Sequence, residues 1–144
     1  MEYYCNITIN KPINEVLQLF DDPEHLTAWM PGLQSFEHLE GIPGQIGGKS
    51  RLVFDNKGKT IELIETVLER DLPTTFKVSY DSPMGYNEVT ASFERVSAGQ
   101  TRYTTFNMFQ LAGVMQYLSF LMKSLFKKQS MVYLNAFKEY AEKN

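Results

Sequence analysis

The C-terminal stretch constrains the fold more than any other part of the chain. From Val114 to Lys143 there is neither glycine nor proline, so nothing interrupts an α-helix. Read from Gly113 to Lys143 at a rise of about 1.5 Å per residue, this helix is roughly 45 Å long. That is longer than a small domain is wide, so a kink or a frayed end is expected. Val114, Leu118, Leu121, Met122, Leu125, Val132, Ala136 and Tyr140 fall in one stripe when stepped at about 100° per residue, and Gln129 lies in the middle of it. Phe120, Met131 and Leu134 project from the opposite side.

What precedes the helix is mostly strand. Tyr3, Cys5, Ile7 and Ile9 alternate with Asn6, Thr8 and Asn10, the pattern of a half-buried strand. Asn10-Lys11-Pro12 starts a helix carrying Ile13, Val16, Leu17 and Phe20. Asp22-Pro23-Glu24 opens a second short helix that closes before Pro31-Gly32. From Leu33 to Leu111, glycine clusters and the turns at Asn56-Lys57-Gly58 and Ser82-Pro83-Met84-Gly85 divide the chain into about six strands, about seven with the first. Phe76, Val78 and Tyr80 alternate clearly, as do Val89, Ala91 and Phe93. Such tight loops favour antiparallel neighbours, because a parallel crossover needs a dozen or more residues.

A helix is about 10 Å across, whereas about seven strands at roughly 4.8 Å span about 30 Å. A single terminal helix therefore cannot fill the concave face of such a sheet. A hollow is expected between them, the usual setting for a small apolar ligand held by a few placed polar groups.

Composition narrows the class. The 144 residues suffice for one domain, 1–144, with its own core. Fourteen basic against seventeen acidic side chains give a net charge of -3, which argues against a nucleic-acid partner. The lone Cys5 rules out an intrachain disulfide and fits a reducing compartment. No signal peptide is visible, and the apolar run from Leu111 to Met122 is too short for a membrane span. The expected location is cytoplasmic.

The order of these segments resembles the SRPBCC superfamily, the START-like and Bet v 1-like helix-grip proteins that include polyketide cyclase/dehydrase and lipid-transport members. The resemblance rests on Asn10-Lys11-Pro12-Ile13-Asn14-Glu15-Val16 followed by Phe20-Asp21-Asp22-Pro23, then on Trp29-Met30-Pro31-Gly32. The loop Gly41 to Gly48 with Lys49-Ser50, the pair Leu72-Pro73, Thr101, and the ending Leu134-Asn135-Ala136-Phe137-Lys138 with Glu142 complete it. It spans essentially the whole chain. It implies an α+β helix-grip fold: a curved seven-stranded antiparallel sheet wrapped around the long C-terminal helix, with two short helices after strand 1. It also implies a cavity for a small hydrophobic or amphipathic ligand, but no single reaction, since such folds host many functions.

Candidate chemistry is sparse. Pro43-Gly44-Gln45-Ile46-Gly47-Gly48-Lys49-Ser50 misses the first glycine of a phosphate loop and leads into a strand rather than a helix, so it reads as a turn. His25, His38 and Cys5 show no metal-ligand spacing, and neither a metal nor a cofactor is expected. His25 reads as a solvated surface residue. Ser35 and His38 have opposite strand parity, which argues against a hydrolytic triad with Glu40.

Glu65 stands out as the candidate catalytic group. Ile61, Leu63, Glu65 and Val67 share a face, and if that face lines the cavity, burial raises the carboxyl pKa and suits it to general acid or base work. Glu62, Ile64, Thr66 and Leu68 form the competing face, and an ion pair of Glu65 with Arg51 is the alternative role. Candidate ligand contacts are Trp29, Phe76, Val78, Tyr80, Val89, Phe93, Leu118, Met122, Leu125 and Gln129. Trp29 serves equally as core packing, and a kink near Lys127-Lys128 would turn Gln129 to solvent. Asn87, Tyr103 and Asn107 offer further hydrogen bonds, with parity unassigned.

Ligand binding is the leading reading. A cyclase- or dehydratase-like enzyme using Glu65 and a protein-interaction module on the outer helix face are the alternatives. The apolar residues and lysines between Leu111 and Lys128 raise a membrane surface or a homodimer contact, but scattered exposed apolar residues are ordinary, and a plain surface is expected rather than a membrane one.

Overall fold

The computed structural model describes residues 1–144. Seven antiparallel strands form one sheet in the order β1-β7-β6-β5-β4-β3-β2. They are β1 (Glu2–Ile9), β2 (Leu33–Glu40), β3 (Lys49–Asn56), β4 (Lys59–Asp71), β5 (Thr75–Ser82), β6 (Gly85–Ser97) and β7 (Gln100–Leu111). Consecutive strands pair throughout from β2 to β7, as the short turn-forming loops require. Only β1 departs, crossing to the far edge beside β7; the two short helices α1 (Ile13–Phe20) and α2 (Leu26–Trp29) make the connection to β2. The α+β helix-grip architecture expected from the segment order is the one observed.

Local chemistry explains the helix starts. Pro12 caps α1 with extended backbone, and Val16 on its inner face is fully buried. The Asp22 carboxylate accepts a hydrogen bond from the Glu24 amide (3.0 Å), satisfying one of the free donors of the 3-10 turn that leads into α2. Gly85, at the β5–β6 hairpin, is required by close approach. Its φ is +139°, and a Cβ there would lie 2.2 Å from the Gln110 carbonyl oxygen.

The long helix differs from the sequence reading in two respects. Residues Gly113–Leu118 form a 3-10 segment, and the α-helix proper, α3, runs from Ser119 to Lys143. The apolar stripe also faces the wrong way for a core. Leu118 is 48% exposed, Leu121 65% and Leu125 60%, whereas Leu134, Phe137 and Ala141 are buried. Leu134, assigned by periodicity to the back of the helix, is therefore on its core face. The physical reason is that α3 packs chiefly against β1, and does so from Phe126 onward; its first turns carry exposed apolar side chains and are not obliged to turn them inward.

Hydrogen bonds fix that docking. The Tyr3 hydroxyl bonds Ser130 Oγ (2.7 Å) and the Phe126 carbonyl (3.1 Å), and burial pushes its pKa up to about 12. Lys138 Nζ donates to the Thr8 carbonyl at 2.6 Å, and Glu142 accepts from the Asn10 amide at 2.7 Å. Around Phe137 the rings of Phe20, Trp29 and Tyr103 gather at centroid distances of 5.8, 5.0 and 5.7 Å, forming the aromatic centre of the core.

Candidate ligand-binding site

Because α3 lies toward the β1 edge, the inner face of the rest of the sheet is left partly uncovered. Two adjoining chambers occupy that space. The larger, of about 540 Å³, lies between the inner residues of β3, β4 and β7 (among them Leu52, Phe54, Ile61, Leu63, Asn107 and Phe109) and Phe126, Ser130 and Tyr133 of α3. The smaller, of about 130 Å³, lies deeper, under α1 and α2, against Ser50, Glu65, Val67, Phe76 and Val78. Trp29, Met30, Tyr80, Val89 and Tyr103 line both chambers and form the wall between them. A volume of 540 Å³ is in the range of small-molecule sites, and the lining has the composition typical of them, mostly apolar with a few polar groups.

Glu65 sits in the smaller chamber. On β4, Ile61 and Leu63 line the larger chamber while Glu65 and Val67 line the smaller, so this parity is the inward one. Glu65 stands opposite Tyr80 on β5 and Ser50 on β3. The Tyr80 hydroxyl is the polar group that acts on its carboxylate. Desolvation raises the Glu65 pKa above the ordinary carboxylate value, and the Tyr80 hydrogen bond offsets part of that rise. Tyr80 is pushed well up as well, first by its own burial and then by the neighbouring carboxylate. No cation serves Glu65: Arg51 lies on the outer face and pairs with Glu62 (2.7 Å) and Glu37 (3.0 Å). A carboxyl whose pKa is raised by desolvation, beside a phenol in a mostly apolar chamber, is suited to donating or accepting a proton, or to hydrogen-bonding an oxygen-bearing ligand.

Trp29 supplies a third polar atom. Its ring packs edge-on against Phe137, and its Nε1 is buried with no acceptor in the chain. A buried indole N–H usually finds a partner.

The other sequence candidates divide. Phe76 and Val78 line the smaller chamber, and Val89 lines both. Gln129 is exposed but lines the larger chamber one turn from Tyr133, with no break in α3. Phe93 lines neither chamber; it is 4% exposed and stacks on Tyr103 at 4.7 Å. Leu118, Met122 and Leu125 also lie off the cavity, because the stripe that carries them faces away from the sheet. His25 is half-buried rather than solvated, its Nδ1 hydrogen-bonded to the Tyr140 hydroxyl.

The residues that the sequence reading did not single out are Leu52, Phe54, Phe109, Phe126, Ser130 and Tyr133. On β7 the inward set is Tyr103, Thr105, Asn107 and Phe109, with Asn107 Nδ2 donating to Thr105 Oγ1 at 3.0 Å. The outward set includes Phe106, which packs on Tyr4 at a centroid distance of 4.8 Å. Apolar residues on both faces hide the parity of that strand.

The family model for polyketide cyclase / dehydrase and lipid transport matches residues 4–142. The chain belongs to this family. Solved structures of the same fold include a START superfamily protein from Mycobacterium smegmatis, 12% identical, covering 99% of this chain and 97% of that one with a TM-score of 0.84. The ZhuI aromatase/cyclase from Streptomyces sp. R1128 is 16% identical, covers 99% and 93%, and has a TM-score of 0.80. TTHA0849 from Thermus thermophilus is 21% identical, covers 98% and 97%, and has a TM-score of 0.74. At these identities the likeness establishes the fold alone. Among proteins of curated function none matches the sequence. No helix of this family member is long and apolar enough to cross a membrane.

Proposed function

We propose that this family member binds a small, largely apolar ligand carrying one or two oxygen functions. The body of the ligand occupies the larger chamber, and an oxygen reaches the wall where Trp29, Tyr80 and Glu65 converge. The observation that carries this reading is the 540 Å³ cavity adjoining a smaller chamber that holds Glu65, with Trp29 and Tyr80 lining both. A carboxyl raised by burial and a free indole N–H together suit a carbonyl or hydroxyl oxygen, since the acid can donate or accept while the indole only donates.

A thermal-shift screen of fatty acids, sterols and polycyclic aromatic ketones tests this. A ligand that binds only the native state at about 100 times its Kd adds about 2.7 kcal/mol, a shift of several degrees in a chain of this size. No shift from any class at saturation refutes the proposal.

A second reading is favoured by one specific observation, the Glu65–Tyr80 pair. In it the same cavity carries out a cyclisation or dehydration, with Glu65 moving the proton. The aromatase/cyclase title of one fold neighbour agrees with that chemistry. Turnover of a cyclisable polyketone by the wild type, abolished by Glu65→Gln while binding persists, is the expected result. Loss of turnover that only tracks loss of binding refutes the proton-transfer role.

A further inference from the structure

The stripe that faces away from the sheet, together with Phe120, which is exposed although periodicity put it on the opposite side, leaves an apolar surface without a partner in the fold. Val114 is 77% exposed, Tyr117 73%, Phe120 75%, Leu121 65% and Leu125 60%. Single exposed apolar residues are ordinary, but six large ones within a stretch of 12 residues, Leu118 included, form a patch. The patch covers the 3-10 segment and the first turns of α3.

The charge along this part of the chain is one-sided. Of the 17 acidic residues none lies between Glu94 and Glu139, whereas that interval holds Arg95, Arg102, Lys123, Lys127, Lys128 and Lys138. Lys123, Lys127 and Lys128 are exposed, and none is paired with a carboxylate. In a chain of net charge -3 this is a local reversal of sign. We propose that this surface docks on an anionic lipid bilayer, with the apolar side chains entering the acyl boundary and the lysines meeting the headgroup phosphates.

A second copy of the chain fits less well. A two-fold contact would press the patch onto itself, bringing six exposed lysine side chains together with no carboxylate in the segment to neutralise them. Docking also has a geometric consequence. Gln110, Leu111, Phe126 and Gln129, which flank this segment, line the larger chamber, so the bilayer would lie beside the chamber's rim. The docking surface is distinct from the ligand site, and its failure would leave the proposal of ligand binding standing.

Co-sedimentation of the full chain with vesicles of phosphatidylcholine alone, or mixed with roughly 30% phosphatidylglycerol, tests the proposal at low and high salt. The wild type is expected to bind the anionic vesicles at least tenfold better than the neutral ones, and to lose that advantage in about 0.5 M salt. Replacing Lys123, Lys127 and Lys128 by Gln should weaken binding on the order of 100-fold, about fivefold per lysine. Phe120→Ser with Leu121→Ser should abolish binding while leaving the unfolding temperature within a few degrees of wild type. Absence of binding to anionic vesicles, or equal binding by the serine double variant, overturns the proposal. So does a lipid-free dimer in sedimentation velocity that the serine substitutions dissociate.

Discussion

Replacing Phe137 by Ala tests the placement of α3 directly. The side chain is fully buried, with three aromatic rings within 6 Å of its centroid. Truncation removes roughly 100 Å³ of side chain, and at about 24 cal/mol per Å³ of unrelaxed cavity this costs about 2.4 kcal/mol. The lost transfer energy of the ring adds about 2 kcal/mol. Collapse is unfavourable here, because Trp29 and Tyr103, which would have to move in, also line the existing chambers. The expected loss is therefore about 4–5 kcal/mol, or roughly 15 °C in Tm from an unfolding entropy of about 0.3 kcal/mol per degree for a chain this long. Leu125→Ala on the same helix removes a side chain that is 60% exposed and should cost under about 1 kcal/mol. Urea unfolding of the two variants, with m compared to wild type, gives both numbers. Equal losses, or a larger loss at Leu125, would refute this packing and restore the orientation that the apolar stripe suggests.

Glu65→Gln should alter stability in a pH-dependent manner. Burial raises the Glu65 pKa, so the native state holds its proton more tightly than the unfolded chain, whose carboxyl titrates near 4.5. Wild-type stability is therefore full below that value and declines as pH rises through the native pKa. The variant lacks this decline, so it should gain on wild type from mildly acidic to neutral pH, with the difference flat below about pH 4. A difference independent of pH, measured by chemical unfolding across that range, would contradict a buried, unpaired carboxyl. Trp29→Phe keeps a ring against Phe137 but deletes the unpartnered N–H. It should weaken a ligand bearing an acceptor oxygen by roughly 2- to 12-fold, the worth of one hydrogen bond, and leave its deoxy analogue unchanged in calorimetry. Equal effects on both ligands would assign Trp29 to packing alone.

Much of the frame was legible because it depends on local signals. Glycine and proline mark the turns between β2 and β7, and period-two alternation in Phe76–Tyr80 and Val89–Phe93 marks inward faces. The hollow followed from comparing the widths of a sheet and a helix, and needed no side-chain detail. The inward face of β4 was one of two open choices, because Ile61, Leu63 and Val67 are balanced by Ile64 and Leu68 on the other side. Pairing decides it: Arg51 on the neighbouring strand holds Glu62 outside, which leaves Glu65 within.

The orientation of α3 was misread for a reason tied to the cavity itself. Amphipathic periodicity assumes that the face of a helix richest in apolar residues is the one packed against the core. The inner face of α3 combines Phe126, Leu134, Phe137 and Ala141 with Ser130 and Tyr133, because part of it borders a chamber rather than close-packed side chains. Those hydroxyls dilute its apparent hydrophobicity, while the first turns concentrate apolar residues outside. The stronger stripe is thus the unpacked one. In a fold of this kind, a hydroxyl-bearing helix face followed by Phe and Leu at spacings of three and four residues is a better sign of the inner face than the largest apolar stripe. A strong stripe confined to the first turns should then be asked what lies outside the fold to receive it.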